Sequence, residues 1–190
     1  MEFLRKEVAA TLPGDVIIVP APDDVSALIA ALAAEDAVVR RRARNGLIVL
    51  GNRAVDPLIE LLADRRAHVR WEAAKALGGI GAPKAAPALV RILEEDEDFD
   101  VRWLASQALA GLGREGLRPL LVALAARPYS IALQEGAYHI CHRLSRRQAF
   151  QLVKPVLAAL RTSEPALAIP AAVRVALDEL RTSSRPRPNG

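Results

Sequence analysis

The feature that most constrains this chain is an internal repeat of a thirteen-residue segment. VRWEAAKALGGIG spans residues 69–81, and VRWLASQALAGLG spans residues 101–113, thirty-two positions later. Self-similarity with a period of about 20–50 residues is the sequence signature of stacked repeat architectures. We therefore expect the chain to consist of copies of one small unit, each of which buries its apolar face against its neighbours.

Three copies align without gaps when the arginine of each Val-Arg pair is set as position zero. Apolar residues then recur three, seven and ten positions later, which places them on one face of a helix. A glycine follows at position eleven, where helices commonly end in a left-handed residue, and a proline at position seventeen predicts the first turn of a second helix. The three zero positions are Arg40, Arg70 and Arg102. The apolar positions are Ala43, Leu47, Leu50, Ala73, Leu77, Ile80, Ala105, Leu109 and Leu112. The glycines are Gly51, Gly81 and Gly113, and the prolines are Pro57, Pro87 and Pro119.

Weaker copies flank this central part on both sides. A fourth copy has Gln134 at position zero and its proline, Pro155, four residues late, and a degenerate fifth copy has Pro170 at position zero. Residues 23–36 read as the second helix of a copy whose first helix is missing or replaced by residues 3–12. Atypical ends are expected of a repeat array, because they cap it. The predicted core residues of the outer copies are Ala137, Cys141, Leu144, Val173, Leu177 and Leu180.

The pattern predicts an all-α fold, a right-handed α-α superhelix of about four to five helix-turn-helix repeats. Ala and Leu dominate the apolar fraction, and only 4% of the residues are aromatic, which agrees with helix rather than strand. We expect residues 1–22 to form an N-terminal cap or extended segment, in which GDVIIVPAP could be a short strand. Residues 23–180 form the solenoid, and residues 181–190, rich in Arg, Pro and Ser, form a disordered tail.

The register D-x-x-V-R-x-x-A-x-x-x-L-x-x-(I/L)-G, followed by A-x-x-P-L, resembles the HEAT-repeat superfamily. It is most similar to the short variant known from phycobilisome lyases, and the match is strong over residues 36–126. The resemblance implies a solenoid that serves in most members as a scaffold for protein contacts, and it also implies a chromophore-lyase-like assembly role as an alternative. Because one fold hosts many functions, the function is argued from sites. The residues that carry the match, with their counterparts one period away, are Val69, Arg70, Ala73, Leu77, Ile80, Gly81 and Pro87.

Composition limits the location and the partners. The net charge is +4, from 26 basic and 22 acidic residues, so nucleic acid is permitted as a partner without being required. The basic residues concentrate in 36–66 and 131–163, whereas 94–98 reads EEDED. The single cysteine, Cys141, excludes an internal disulfide, and we expect a cytoplasmic protein without an export signal or membrane span.

The position-zero arginines are preceded by acids, which suggests a ladder of polar contacts. We expect the acids to cap the starts of the first helices and the arginines to pair between neighbouring repeats. The predicted ladder comprises Arg40, Arg70, Arg102, Asp36, Asp64 and Asp98, with Asp96 as the alternative to Asp98.

Two tryptophans follow the arginines and are the strongest candidates for a binding surface. Trp71 and Trp103 point about 170° from the core centre of a regular helix, so they are expected on the outer face in a row with Arg41 and Glu135. Exposed tryptophans anchor many binding surfaces, although each indole could instead pack flat over the next repeat. The predicted protein-binding surface comprises Trp71, Trp103, Arg41, Arg91 and Arg118.

Motifs for catalysis or cofactor binding are weak. GLGREG at 111–116 matches a dinucleotide-binding pattern, but it follows a helix instead of a strand and aligns with a repeat turn. Glu135, His139 and His142 share one helical face and form only a weak metal candidate, because no second ligand cluster completes them. We expect no cofactor and no enzyme activity. The sequence favours a non-catalytic adaptor that binds another protein of unknown identity; the alternatives are nucleic-acid binding through the Arg bands and the lyase-like role.

Overall fold

A computed structural model describes residues 24–146 and 148–182, and all regular structure in these residues is helical. The α-helices are α1 (Val25–Ala31), α2 (Ala37–Leu50), α3 (Val55–Leu61), α4 (Ala67–Ile80), α5 (Ala86–Glu95), α6 (Phe99–Gly111), α7 (Arg114–Ala126), α8 (Ile131–Ser145), α9 (Lys154–Ala159) and α10 (Pro165–Thr182). Short 3₁₀ turns cover Gly51–Ala54, Pro83–Ala85 and Gln148–Val153.

The helices pair into hairpins that stack in sequence order. Helices joined by short turns form the hairpins α2–α3, α4–α5, α6–α7 and α8–α9. Each first helix packs against the first helix of the next hairpin, and α3, α5 and α7 also pack on the first helix that follows them. Among the second helices, α5 packs against α7; α1 covers α2 at one end, and α10 packs on α7 and α9 at the other. The predicted all-α superhelix of stacked helix-turn-helix repeats is confirmed.

The repeated apolar positions build one continuous core. In the three central copies the residues three and seven positions after the arginine are at most 2% exposed, because these offsets face the neighbouring hairpins. The residues at offset ten are half-buried and pack against the edge of the same core. The fourth and fifth copies follow the same rule, with Ala137, Cys141, Leu144, Val173 and Leu180 buried and Leu177 half-buried.

Each central first helix is followed within two residues by a glycine with a positive φ. Gly81 has φ 69° and ψ 30°, the left-handed conformation that costs other residues a clash of their Cβ, and its amide donates to the Leu77 carbonyl at 3.0 Å. Gly51 and Gly113 also have positive φ angles, of 60° and 61°. The predicted glycine turns are confirmed.

The prolines mark the second helices with one exception. Three of them lie in the first turn of their helix as predicted, namely Pro57, Pro87 and Pro155. The prediction for Pro119 is wrong, because α7 begins at Arg114 and Pro119 lies inside it. The start of α7 packs closely on α6: a Cβ at Gly116 would collide with the carbonyl oxygen of Leu109. Glycine therefore lets α7 start directly after the turn, where the two preceding hairpins have a 3₁₀ turn first.

The two ends of the chain lie partly outside the described residues. The predicted cap, residues 1–22 with GDVIIVPAP, and the tail residues 183–190 are not among them. Helix α10 continues through Arg181 and Thr182, the first two residues of the predicted tail. In the ranges 24–146 and 148–182, none of the helices combines the length and apolarity needed to cross a bilayer.

Candidate functional site

The side chains at position zero close the loop that precedes their own helix. Each arginine donates from Nη1 to the carbonyls six and five residues earlier, at distances between 2.6 and 3.1 Å. In the fourth copy Gln134 does the same with one bond, from its side-chain amide to the Pro128 carbonyl at 2.6 Å. The sequence reasoning missed this role, although the recurrence of a long donor at this position was its signal. The acceptors of the arginines belong to Ala34 and Glu35, Asp64 and Arg65, and Asp96 and Glu97.

Arg70 also makes a contact with the next repeat. Its Nε and Nη2 donate to the two carboxylate oxygens of Asp96 at 2.7 and 2.8 Å, and the Asp98 amide donates to Asp96 at 2.9 Å. The Asp96 side chain is 1% exposed. Burial alone would raise the pKa of Asp96, but the bonds from Arg70 and the Asp98 amide outweigh it and lower that pKa. This pair is a charged link between two repeats.

The other two arginines do not repeat this link. Asp96, the partner of Arg70, lies six residues before the position-zero residue of the next copy. The residue at the corresponding place is Asp64 in the copy after Arg40 and Pro128 in the copy after Arg102. Since proline has no carboxylate, the prediction that Arg102 pairs with the following repeat is wrong. The guanidinium of Arg102 instead lies 5.7 Å from the centroid of the Phe99 ring.

A buried glutamate links α2 and α4 instead. Glu72 is 5% exposed and accepts a bond from Nη1 of Arg44 at 2.5 Å, while Nε of Arg40 lies 3.7 Å away. Sequence reasoning missed Glu72, because its position in the register holds no acid in the other copies. The α2–α4 seam therefore has its own charged contact.

The predicted acidic caps hold at two of three helices. Asp36 caps α2 by accepting from the Val38 amide at 2.6 Å, and Asp98 caps α6. The expectation for Asp64 is wrong, because the N-cap of α4 is Arg66. The carboxylate of Asp64 accepts two bonds from the Arg66 side chain, at 2.9 and 2.8 Å. The hydrogen bonds from this guanidinium are the main reason that the pKa of Asp64 is lowered to about 2.

The two tryptophans lie in different environments. Trp71 is half-buried in a groove of about 660 Å³ between α2 and α4, with Arg41 on the same rim. The Nζ of Lys75 lies 4.2 Å from the centroid of the Trp71 ring, and the guanidinium carbon of Arg44 lies 5.8 Å from it. Trp71 thus contacts two cations of its own chain and is less exposed than the outward row implied.

Trp103 is the exposed member of the pair. It is 49% exposed and lines a slot of about 190 Å³ between α6 and α8, which we call the Trp103 slot. Phe99 stands beside it and is 66% exposed, and Glu135 and His139 form the opposite wall. Of the predicted row, Trp103 and Glu135 share this slot, while Trp71 and Arg41 line a separate groove.

The weak metal candidate does not assemble. The candidate consists of Glu135, His139 and His142, which share one face of α8. The Nε2 of His139 lies 2.7 Å from the Gln107 side-chain nitrogen, and the His142 ring stacks on Tyr138 with centroids 6.0 Å apart. Within the described residues, no group of three or more His, Cys, Asp or Glu side chains is placed to hold a metal ion.

A second open surface lies on the layer of second helices. The groove between α5 and α7 has a volume of about 720 Å³, and we call it the second-helix groove. Its floor contains Val90 and Ala123, and the exposed Val122 projects into it. The predicted surface residues Arg91 and Arg118 line this groove, on the opposite layer from the tryptophans.

The stacked hairpins define an α-helical solenoid, and a comparison with known families agrees. Residues 25–110 match the family model described as HEAT repeats. No curated protein matches the chain.

The solved structures that are similar to it over most of the chain include the following three. The complex of CpcE and CpcF of phycocyanin lyase from Nostoc sp. PCC7120 is 26% identical, with 91% of this chain and 70% of that chain covered and a TM-score of 0.48. One engineered protein is 18% identical, with coverages of 83% and 79% and a TM-score of 0.43. Another is 20% identical, with coverages of 83% and 47% and a TM-score of 0.41.

Proposed function

We propose that this protein is a non-catalytic scaffold that binds a segment of another protein in the second-helix groove. The observation that carries the proposal is the groove between α5 and α7. It is open, about 720 Å³ in volume, and formed by helices that the core holds in place. A preformed surface binds a partner at a lower ordering cost than a surface that must fold first.

The chemistry of the groove indicates the kind of segment that fits. Pro87, Val90 and Pro119 are among the apolar residues that line it, and Val122 is 53% exposed there. An exposed apolar surface of this kind, bordered by polar side chains, is typical of a protein-interaction site. We expect an extended, largely apolar segment with charged residues at its ends. The charged lining residues are Arg91, Arg118, Arg127, Glu95 and Glu115.

Charge pairing favours a protein partner over nucleic acid. Several basic side chains are neutralised locally, whereas nucleic-acid binding depends on cations that are free to replace counterions. The mixed signs along the second-helix groove fit a peptide better than a phosphate backbone. The ion pairs are Arg44–Glu72, Arg70–Asp96, Lys84–Asp56 and Arg127–Glu94.

The test is capture of partners with a matched pair of variants. Val122→Lys places a charge in the groove at an exposed position, so the fold should be preserved while partner binding is lost. Val49→Lys is the control, since Val49 is 86% exposed on α2. Captured proteins are identified by mass spectrometry. The dominant one is purified and titrated by calorimetry against the wild type, Val122→Lys and Val49→Lys.

The proposal predicts that the wild type and Val49→Lys bind the same partner, and that Val122→Lys binds it at least tenfold more weakly. Equal binding by both variants would overturn it. Recovery of nucleic acid alone, with binding that falls steeply as salt rises, would favour the alternative.

A further inference from the structure

The repeat offers an internal comparison that separates the two tryptophans. Trp71 and Trp103 occupy the same register position, one residue after the position-zero arginine. The ring of Trp71 has two cations of its own chain nearby, Lys75 at 4.2 Å and Arg44 at 5.8 Å. A cation is attracted to the negative face of an aromatic ring, and among the aromatic side chains this attraction is strongest for tryptophan. The copy that contains Trp71 therefore shows what this indole position accepts.

The copy that contains Trp103 lacks both cations. The residue that corresponds to Lys75, five positions after the arginine, is Gln107, and its side chain contacts His139 instead. The residue that corresponds to Arg44, four positions after the arginine of the preceding copy, is Ala74, which is fully buried. Trp103 is nevertheless the more exposed of the two rings. In the part of the chain that the structure describes, no cation lies over its ring.

The Trp103 slot has the shape and charge to receive a cation from outside. Small residues are part of its lining, among them Gly136, where a Cβ would lie 2.6 Å from the Leu93 side chain. The Glu135 carboxylate is exposed on the wall opposite the indole. An indole face and a carboxylate on two sides of a slot complement a guanidinium or ammonium group.

The other charged group at the slot is already engaged. Arg102 lines its edge, but its Nη1 donates to the carbonyls of Asp96 and Glu97 at 2.7 and 3.1 Å. Its guanidinium lies beside Phe99, not Trp103. The positive charge of Arg102 is thus directed at the loop before α6, and Glu135 is the charge that faces an incoming side chain.

From this comparison we infer that the Trp103 slot binds an arginine or lysine side chain of a protein partner. That side chain makes with Trp103 the cation–π contact that Lys75 makes with Trp71. The inference rests on the proposed scaffold function and gives the partner a second contact, on the layer opposite the second-helix groove. The partner segment carries a basic side chain that inserts between α6 and α8.

The test uses a small probe instead of the unidentified partner. N-acetyl-arginine methylamide is titrated into the ¹⁵N-labelled protein at concentrations on the order of 10 mM, and the indole N–H signals of both tryptophans are followed by NMR. The uncharged analogue N-acetyl-citrulline methylamide has nearly the same shape and is the ligand control. We expect a saturable shift of the Trp103 signal with the arginine probe and about 4- to 25-fold weaker binding of the citrulline probe, because the neutral probe loses both the cation–π attraction and the pairing with Glu135, each of which contributes about two- to fivefold. The Trp71 signal should stay in place.

Two variants sharpen the result. Gln107→Lys copies Lys75 and should place an internal cation on Trp103, so binding of the arginine probe should fall to the level of the citrulline probe. Glu135→Gln should weaken binding of the arginine probe alone, about two- to fivefold, because it removes only the charge. Both residues are at the surface, and the remaining amide signals report whether the fold is intact.

Equal binding of the two probes to the wild type, no saturable shift of Trp103, or unchanged binding by Gln107→Lys would each overturn the inference. The outcome is independent of the second-helix groove, since Val122→Lys should bind the arginine probe like the wild type. A partner lost by Val122→Lys but kept by Gln107→Lys would support the scaffold function and reject the slot.

Discussion

The link between Arg70 and Asp96 should contribute far more to stability than a surface ion pair. The Asp96 side chain is 1% exposed and accepts three hydrogen bonds, two from Arg70 and one from the Asp98 amide. Asp96→Asn keeps the shape but replaces one acceptor oxygen with an NH₂ group, which then faces one of those donors. Losing a charge-assisted bond and leaving the Arg70 guanidinium without its partner should cost about 2–4 kcal/mol of unfolding free energy. The figure is below the upper range for a buried pair, because Arg70 is 15% exposed and keeps its carbonyl acceptors.

The chain provides a matched control for this prediction. Lys84 and Asp56 also join neighbouring repeats, with Nζ 2.6 Å from a carboxylate oxygen, but their side chains are 67% and 65% exposed. Double-mutant cycles with Asp96→Asn and Arg70→Met, and with Asp56→Asn and Lys84→Met, are measured by urea unfolding followed by circular dichroism. We expect a coupling energy of about 2 kcal/mol for the buried pair and below about 0.5 kcal/mol for the exposed pair. Similar coupling in both cycles would refute the reasoning that burial and two-pronged geometry make the difference.

Three further predictions concern acid, the thiol and a glycine. Because the pKa of Asp64 is lowered to about 2 and that of Asp96 is also lowered, both carboxylates stabilise the fold above the unfolded pKa of about 4. This contribution should disappear as the pH falls towards 2, and melting curves against pH should show a smaller acid loss for Asp96→Asn than for the wild type. Burial raises the pKa of the Cys141 thiol to about 12, so it should resist a thiol reagent at pH 8 in the native protein and react fully in denaturant; fast reaction of the folded protein would contradict its burial. Gly116→Ala should lower the unfolding free energy by at least about 1 kcal/mol through collision with α6, whereas Gly111→Ala, where a Cβ meets nothing within 4 Å, should be neutral or stabilising in the same urea assay.

The sequence predicted those parts of the fold that recur. Leu47, Leu77 and Leu109 are buried because each hairpin must cover the same face of its neighbour, so one physical requirement produced one periodic signal. The glycine turns followed from the same logic. The start of α7 could not be predicted in this way, because Gly116 acts through its distance to Leu109 on another helix.

The candidate site depended on features that differ between copies, and these were harder to predict. Trp71 and Trp103 look equivalent in the alignment, yet Lys75 and Arg44 lie at one ring and Gln107 and Ala74 take their places in the other copy. The residue differences between the two copies can be read from the sequence, but only the packing shows which side chains reach each tryptophan ring. Glu72 illustrates the same limit, since a single acid in a helix gives no periodic signal.

Gln134 is uncharged where the three preceding copies have an arginine, so the fourth hairpin differs electrostatically from the first three. Arg40, Arg70 and Arg102 each bring a full charge to the loop before their helix, whereas Gln134 closes its loop with one uncharged bond to Pro128. Salt, which screens charges, and acid, which protonates Asp64 and Asp96, should therefore act mainly on the first three hairpins. As the pH falls towards 2, the first three hairpins should lose stability first, which leaves α8, α9 and α10 as the segment that melts last.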